Sequence, residues 1–191
     1  MLLELAAFER SRAPRVAWRR YDVSYEAFAA ALATRVRPFR AGDVMLHVGC
    51  GSSAWGSLLA AQRHVAMLES DVDVTLLARL RAAAARSRLG FAALDATSLA
   101  LRPACADFVL DKGTVDALAS APDHGRAIAA VASAALRALR PGGALLVVSA
   151  RPGERLDTMR AACDDQTARA LAAAEVAPLN DSGAGVLIVR K

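Results

Sequence analysis

Short apolar runs alternate with longer amphipathic stretches along most of the chain, and the two periods predict different elements. Val44 to Val48, Val65 to Leu68, Phe91 to Leu94, Phe108 to Leu110, Ala144 to Val148, Val176 to Leu179 and Val186 to Val189 are the lengths of strands. Between them, Ser53 to Gln62, Val72 to Arg86 (Leu76, Leu77 and Leu80 on one side), Gly125 to Leu139 and the region around 154 to 173 predict helices. Ahead of the first strand, a helix near residues 2 to 10 and another near 24 to 35 are predicted, the second with Ser24 as N-cap and Tyr25, Phe28 and Leu32 at helical spacing. Arg140-Pro141-Gly142-Gly143 stops the long helix, and Asn180-Asp181-Ser182-Gly183 turns the last two strands into a hairpin.

Strand and helix in alternation, with strands too apolar to have a wet face, predict an α/β fold: a Rossmann-like, seven-stranded, mostly parallel sheet with helices on both faces. The C-terminal hairpin adds an antiparallel strand. No repeat or break in composition divides the 191 residues, so one compact domain is expected, with residues 1–40 as a helical cap segment on a domain of 41–191.

Composition removes several classes of function. No apolar run approaches the roughly 20 residues of a membrane span, and Glu4 and Glu9 interrupt a start without a basic region, against a secretory signal. Cys50, Cys105 and Cys163 are odd in number and lack CxxC spacing, which points to a reducing, cytoplasmic setting. No metal site is expected, because no Cys/His pair has ligand spacing. The net charge of +5, with arginines dense before residue 40, suits either solvated helix faces or an acidic protein partner. Nucleic acid is disfavoured, since no aromatics interleave the basic residues.

Candidate chemistry gathers where strands end. Gly49-Cys50-Gly51-Ser52-Ser53 follows the first strand; Cβ-free backbone lets a ligand approach the main chain, and Ser53 can cap the helix. The GxGxxG spacing of a dinucleotide loop is absent, which suits a smaller nucleoside. About 20 residues on, Glu69-Ser70-Asp71 offers a carboxylate to ribose hydroxyls; Glu69 is the better candidate, with Asp71 available to cap the next helix. Asp95-Ala96 after the third strand can meet an adenine edge, the carboxylate accepting from its amine. Asp111-Lys112-Gly113-Thr114 breaks the fourth strand with charge and glycine, and Lys112 is one of only two lysines in the chain. Together these groups describe an adenosine site at the carboxyl edge of a parallel sheet.

These residues resemble a class I S-adenosylmethionine-dependent methyltransferase, and more narrowly the elongation factor 1A lysine methyltransferases of the methyltransferase-like 13 group. That group shows a GCGNS loop, an acid after strand two, an MD pair after strand three and a FDxVxDKGTLDAL segment. Here stand Gly49 to Ser53, Glu69, Leu94-Asp95 and Asp107 to Leu118. Trp18 to Tyr21, Ser24 to Phe28, Leu139 to Gly143 and Ser149 to Arg155 echo further motifs. Departures are Ser52 for Asn, Glu69 for Asp, Ala27 for a tryptophan, and a last strand without aromatics.

The resemblance implies S-adenosyl-L-methionine as cofactor, held by Tyr21, Gly49, Gly51, Glu69, Ser70, Asp95, Ala96 and Lys112, and a protein lysine as acceptor, with a small-molecule methyltransferase or a non-catalytic binding module on the same fold as the alternatives. Asp111 is the expected catalytic residue, orienting the acceptor amine or the cofactor's amino group.

Overall fold

The computed structural model describes residues 23–63, 65–84 and 89–191. The predicted helix at 2–10, Trp18 and Tyr21 lie outside the described residues. The helices are α1 (Tyr25–Ala33), α2 (Trp55–Arg63), α3 (Val74–Ala83), α4 (Thr114–Leu118), α5 (His124–Ala138), α6 (Pro152–Ala162) and α7 (Asp165–Ala172). The strands are β1 (Val44–Val48), β2 (Ala66–Asp71), β3 (Leu89–Ala93), β4 (Ala106–Lys112), β5 (Leu139–Ser149), β6 (Glu175–Pro178) and β7 (Gly185–Arg190).

They form one seven-stranded sheet in the order β3-β2-β1-β4-β5-β7-β6. The first five strands are parallel; β7 is antiparallel to both β5 and β6. Both hairpin strands therefore join the sheet, β7 inserted between β5 and β6. The predicted helix at 154–173 is two, because the chain becomes extended at Cys163 and Asp164 caps α7 through the Thr167 amide.

Period-two alternation splits the sheet's apolar residues between two layers. Leu46, Val48, Val109, Leu145 and Val147 pack with Ile128, Val131 and Ala135 of α5 and Met159 of α6. Met45, Met67, Phe108, Leu110 and Leu146 pack with Phe28 and Leu32 of α1 and Trp55 and Leu59 of α2. Burial on both faces explains why the central strands are mostly apolar, with His47 of β1 and Asp111 of β4 as buried exceptions.

Two strands run further than their apolar letters. β2 continues through Glu69 and Ser70 to Asp71, and β4 through Asp111 to Lys112. The consequence is that Glu69 and Asp111 lie inside the sheet, while Asp71 and Lys112 reach its carboxyl edge. At that edge β1 sits between β2 and β4, so successive crossovers leave it in opposite directions and open a crevice there.

Candidate functional site

The loop after β1 begins with Gly49 at φ +57° and continues to Gly51 at φ +52°, conformations that cost most side chains energy and glycine little. Three ties fix the loop. The Cys50 amide donates to the Ser70 carbonyl at 2.8 Å, and the Gly51 amide donates to Asp71 Oδ2 at 2.9 Å. Thr114 Oγ1 shares its proton between the Val48 and Gly49 carbonyls, at 3.0 and 3.2 Å. A Cβ on Gly49 would fall 2.1 Å from that hydroxyl, whereas one on Gly51 would meet nothing within 4 Å. Gly49 is thus required by packing, and Gly51 leaves its backbone open to a ligand.

Around this loop lies a crevice of about 280 Å³, near the lower end of the ~300–1,000 Å³ usual for small-molecule sites. Gly49, Gly51, Asp95, Ala96 and Lys112, all expected from the sequence, line it. So do Asp71, Leu94, Thr97, Gly113 and Thr114. Asp95 Oδ1 accepts from the Thr97 amide at 2.8 Å and hydroxyl at 2.7 Å, and these bonds hold its carboxyl below the usual carboxylate range. The Lys112 ammonium sits 5.4 Å from the Trp55 ring centroid, a cation–π contact that steadies a long side chain at the mouth of the site.

Glu69, Ser70 and Asp111 stand elsewhere. Glu69 is buried, with Oε2 2.7 Å from His47 Nδ1, and it fits only because Gly56 of α2 has no Cβ: one placed there would lie 1.4 Å from Glu69 Oε1. Burial beside this acid pushes the Cys50 thiol far above its ordinary range, leaving it inert. Ser70 Oγ donates to the His47 carbonyl at 2.9 Å, beneath the loop. Asp111 has no exposed surface. Its Oδ1 accepts from the Thr114 amide at 3.0 Å, and burial pushes its carboxyl up to about 7.

Three contributors lie outside the expected set of site residues, Asp71 being the lesser of the two acids the sequence offers there. Asp71 serves the crevice and not α3, which Asp73 caps through the Thr75 and Leu76 amides. Thr114 couples β4's end to the glycine loop. Asp116 accepts from Ser149 Oγ at 2.8 Å, the Ala150 amide at 2.9 Å and Arg155 Nε at 2.8 Å, anchoring α4 to β5 and α6. The signal for the last two was their place in the DKGTVDAL segment.

Residues 46–147 match the methyltransferase domain, more than half of the chain. The chain belongs to the methyltransferase-domain family. S-adenosylmethionine is its cofactor, and the residues present fit it: an open glycine backbone, an acid at the end of β2, and the Asp95–Thr97 turn on one crevice. Curated proteins yield no match.

Among solved structures, a Haloferax volcanii methyltransferase in complex with the Trm112 methyltransferase activator aligns with TM-score 0.60 and 16% identity, over 87% of this chain and 89% of that one. A Rhodobacter sphaeroides protein described as a Zn-dependent alcohol dehydrogenase aligns with TM-score 0.63 and 13% identity, over 88% and 90%. Haemonchus contortus phosphoethanolamine N-methyltransferase 2, bound to phosphomonomethylethanolamine and S-adenosylhomocysteine, gives 0.54 and 19%, over 80% of this chain and 38% of that one. At these identities the likeness is one of fold. Among the described residues no group of three His, Cys, Asp or Glu side chains is placed to hold a metal, and no helix is long and apolar enough to cross a membrane.

Proposed function

We propose that the chain transfers the methyl group of S-adenosylmethionine to a lysine amine of a protein, with an elongation factor 1A-like target as the first to try. The observation that carries the methyltransferase reading is the convergence of Gly51, Asp71, Asp95 and Lys112 on one crevice at the point where strand order reverses. When bound, the cofactor would supply an electrophilic methyl on a sulfonium, which an aligned nucleophile would take as the carbon–sulfur bond breaks and S-adenosylhomocysteine leaves, without a metal or a covalent enzyme intermediate.

The chain's contribution is binding and alignment. Asp71, with lone pairs left after accepting from Gly51 and Asp73, takes the ribose hydroxyls. Ala96 and Thr97 meet the adenine edge, and Lys112 the carboxylate end. Tyr21 is kept as a further cofactor contact on the resemblance alone. Alignment in a dry site is worth up to ~7–11 kcal/mol in good intramolecular models. A lysine acceptor must also lose its proton, at a cost of about 4–5 kcal/mol at neutral pH unless the site lowers its pKa.

The acceptor assignment rests on the DKGTVDAL segment. An open groove of about 740 Å³ at the carboxyl end of β5, formed by Arg151, Pro152 and Glu154 against Ser182 and Gly183, supports an acceptor approaching from outside. The arginine-rich residues 10–40 favour an acidic partner surface, in a cytoplasmic setting. Labelled methyl from S-adenosylmethionine, added with the protein to a lysate, tests this. Label in a protein band that is recovered as methyllysine after acid hydrolysis is expected. Label confined to small molecules would move the acceptor to that class.

A further inference from the structure

Resting on the methyltransferase reading, we propose that Asp111 is a positioning residue, which holds the glycine loop in its cofactor-binding shape by way of Thr114 and loosens it on taking up a proton. The contact chain is short. Asp111 Oδ1 accepts from the Thr114 amide, and the amides of Gly113 and Val115 add to the attraction. Gly113, at φ +87°, makes the turn that aims these amides back at the carboxylate. The Thr114 hydroxyl then bonds the carbonyls of Val48 and Gly49, and Thr114 packs against Gly49 so closely that no Cβ could stand between them. One carboxylate therefore sets the position of the first turn of α4, and that turn sets the first residue of the loop.

The link is sensitive to charge. Asp111 Oδ2 is buried without a hydrogen-bond partner among the described residues, so the anion is solvated on one side only. Burial raises its carboxyl to about 7 against the pull of the amides and of His47. Its neighbours in register, Val48 and Val147, carry no charge. Of the titratable groups on neighbouring elements, His47 of β1 acts on it and is itself bonded to Glu69 of β2; Lys112 stands next along β4, and Asp116 of α4 is engaged by Ser149 and Arg155. An ionised acceptor makes hydrogen bonds roughly twice as strong as a neutral one, so protonation slackens the turn. Because the effect passes through the loop, it reaches any ligand seated there, whether cationic S-adenosylmethionine or uncharged-sulfur S-adenosylhomocysteine.

Calorimetric dissociation constants for both ligands between pH 6 and 8, on wild type, Asp111→Asn, Thr114→Ser and Thr114→Val, test the relay. In wild type both ligands should tighten about five- to tenfold as pH rises. Asp111→Asn should bind with little pH dependence, Thr114→Ser should follow wild type, and Thr114→Val should weaken both ligands at least about fivefold while melting as a folded protein. Persisting pH dependence in Asp111→Asn would assign it to His47 or a crevice group and overturn the proposal. So would dependence seen for S-adenosylmethionine alone, or wild-type binding by Thr114→Val. Absence of binding by either ligand to folded wild type would instead overturn the methyltransferase reading beneath it.

Discussion

Asp71 and Glu69 are two residues apart on one strand, point to the same side of the sheet, and yet predict opposite phenotypes. Asp71 stands at the edge, bonded to the Gly51 amide at 2.9 Å and open to the crevice. Under the proposed function, replacing it with alanine removes the ribose acceptor together with one tie of the loop. Hydrogen bonds to a charged group are worth ~1.5–3 kcal/mol each, and Asp71 is partly exposed, so a combined loss of about 2–3 kcal/mol is expected. That corresponds to about 30- to 150-fold weaker binding of S-adenosylhomocysteine.

Glu69→Gln instead weakens a buried 2.7 Å contact with His47, away from the ligand. It should destabilise the fold by ~1–3 kcal/mol, lowering the melting temperature by about 3–10 °C in a chain of this length. Its affinity should stay within about threefold of wild type. Isothermal titration calorimetry and thermal melts on the two variants separate these effects. Weak binding by Glu69→Gln together with normal binding by Asp71→Ala would refute the geometric argument and return the ribose to Glu69.

Gly49→Ala should cost more stability than Gly51→Ala, because its methyl meets Thr114 while both share a positive φ; Gly51→Ala should chiefly lower cofactor affinity, and melts paired with calorimetry tell them apart. Asp116→Ala should destabilise by about 3 kcal/mol in urea titration, since it removes the buried partner of Arg155, whose side chain is 9% exposed, and leaves it only the half-exposed Glu154 at 3.3 Å. The stability of the fold should also depend on pH through Asp111. Its carboxyl is raised from 3.8 to about 7, so the folded state holds a proton the unfolded chain has released. That contribution, on the order of 4 kcal/mol at most, is full below the unfolded value and is lost as pH rises through about 7. Asp111→Asn should flatten the fall in unfolding free energy between pH 5 and 8, and an unchanged slope would contradict the assignment.

Much of the fold was legible in the sequence because burial on two faces leaves an unmistakable mark. Strands such as Val44–Val48 and helices such as α5 must be apolar where they pack, and glycine and proline mark where they end. The glycine loop, Asp95, Lys112 and the DKGTVDAL segment were visible for the same local reason: polar letters abruptly follow apolar ones.

What the letters could not say is how far a strand continues once its residues turn polar. β2 absorbs Glu69 because His47 on the neighbouring strand and the gap left by Gly56 offer it a partner and room; β4 absorbs Asp111 because the turn at Gly113 supplies amides. Those partners lie 22 and 13 residues from Glu69, in His47 and Gly56, and only assembly of the sheet brings them together. A two-residue extension then decides which carboxylate lines the crevice and which is buried, so local pattern determined that this edge carries acids, and tertiary contacts determined where each acid stands.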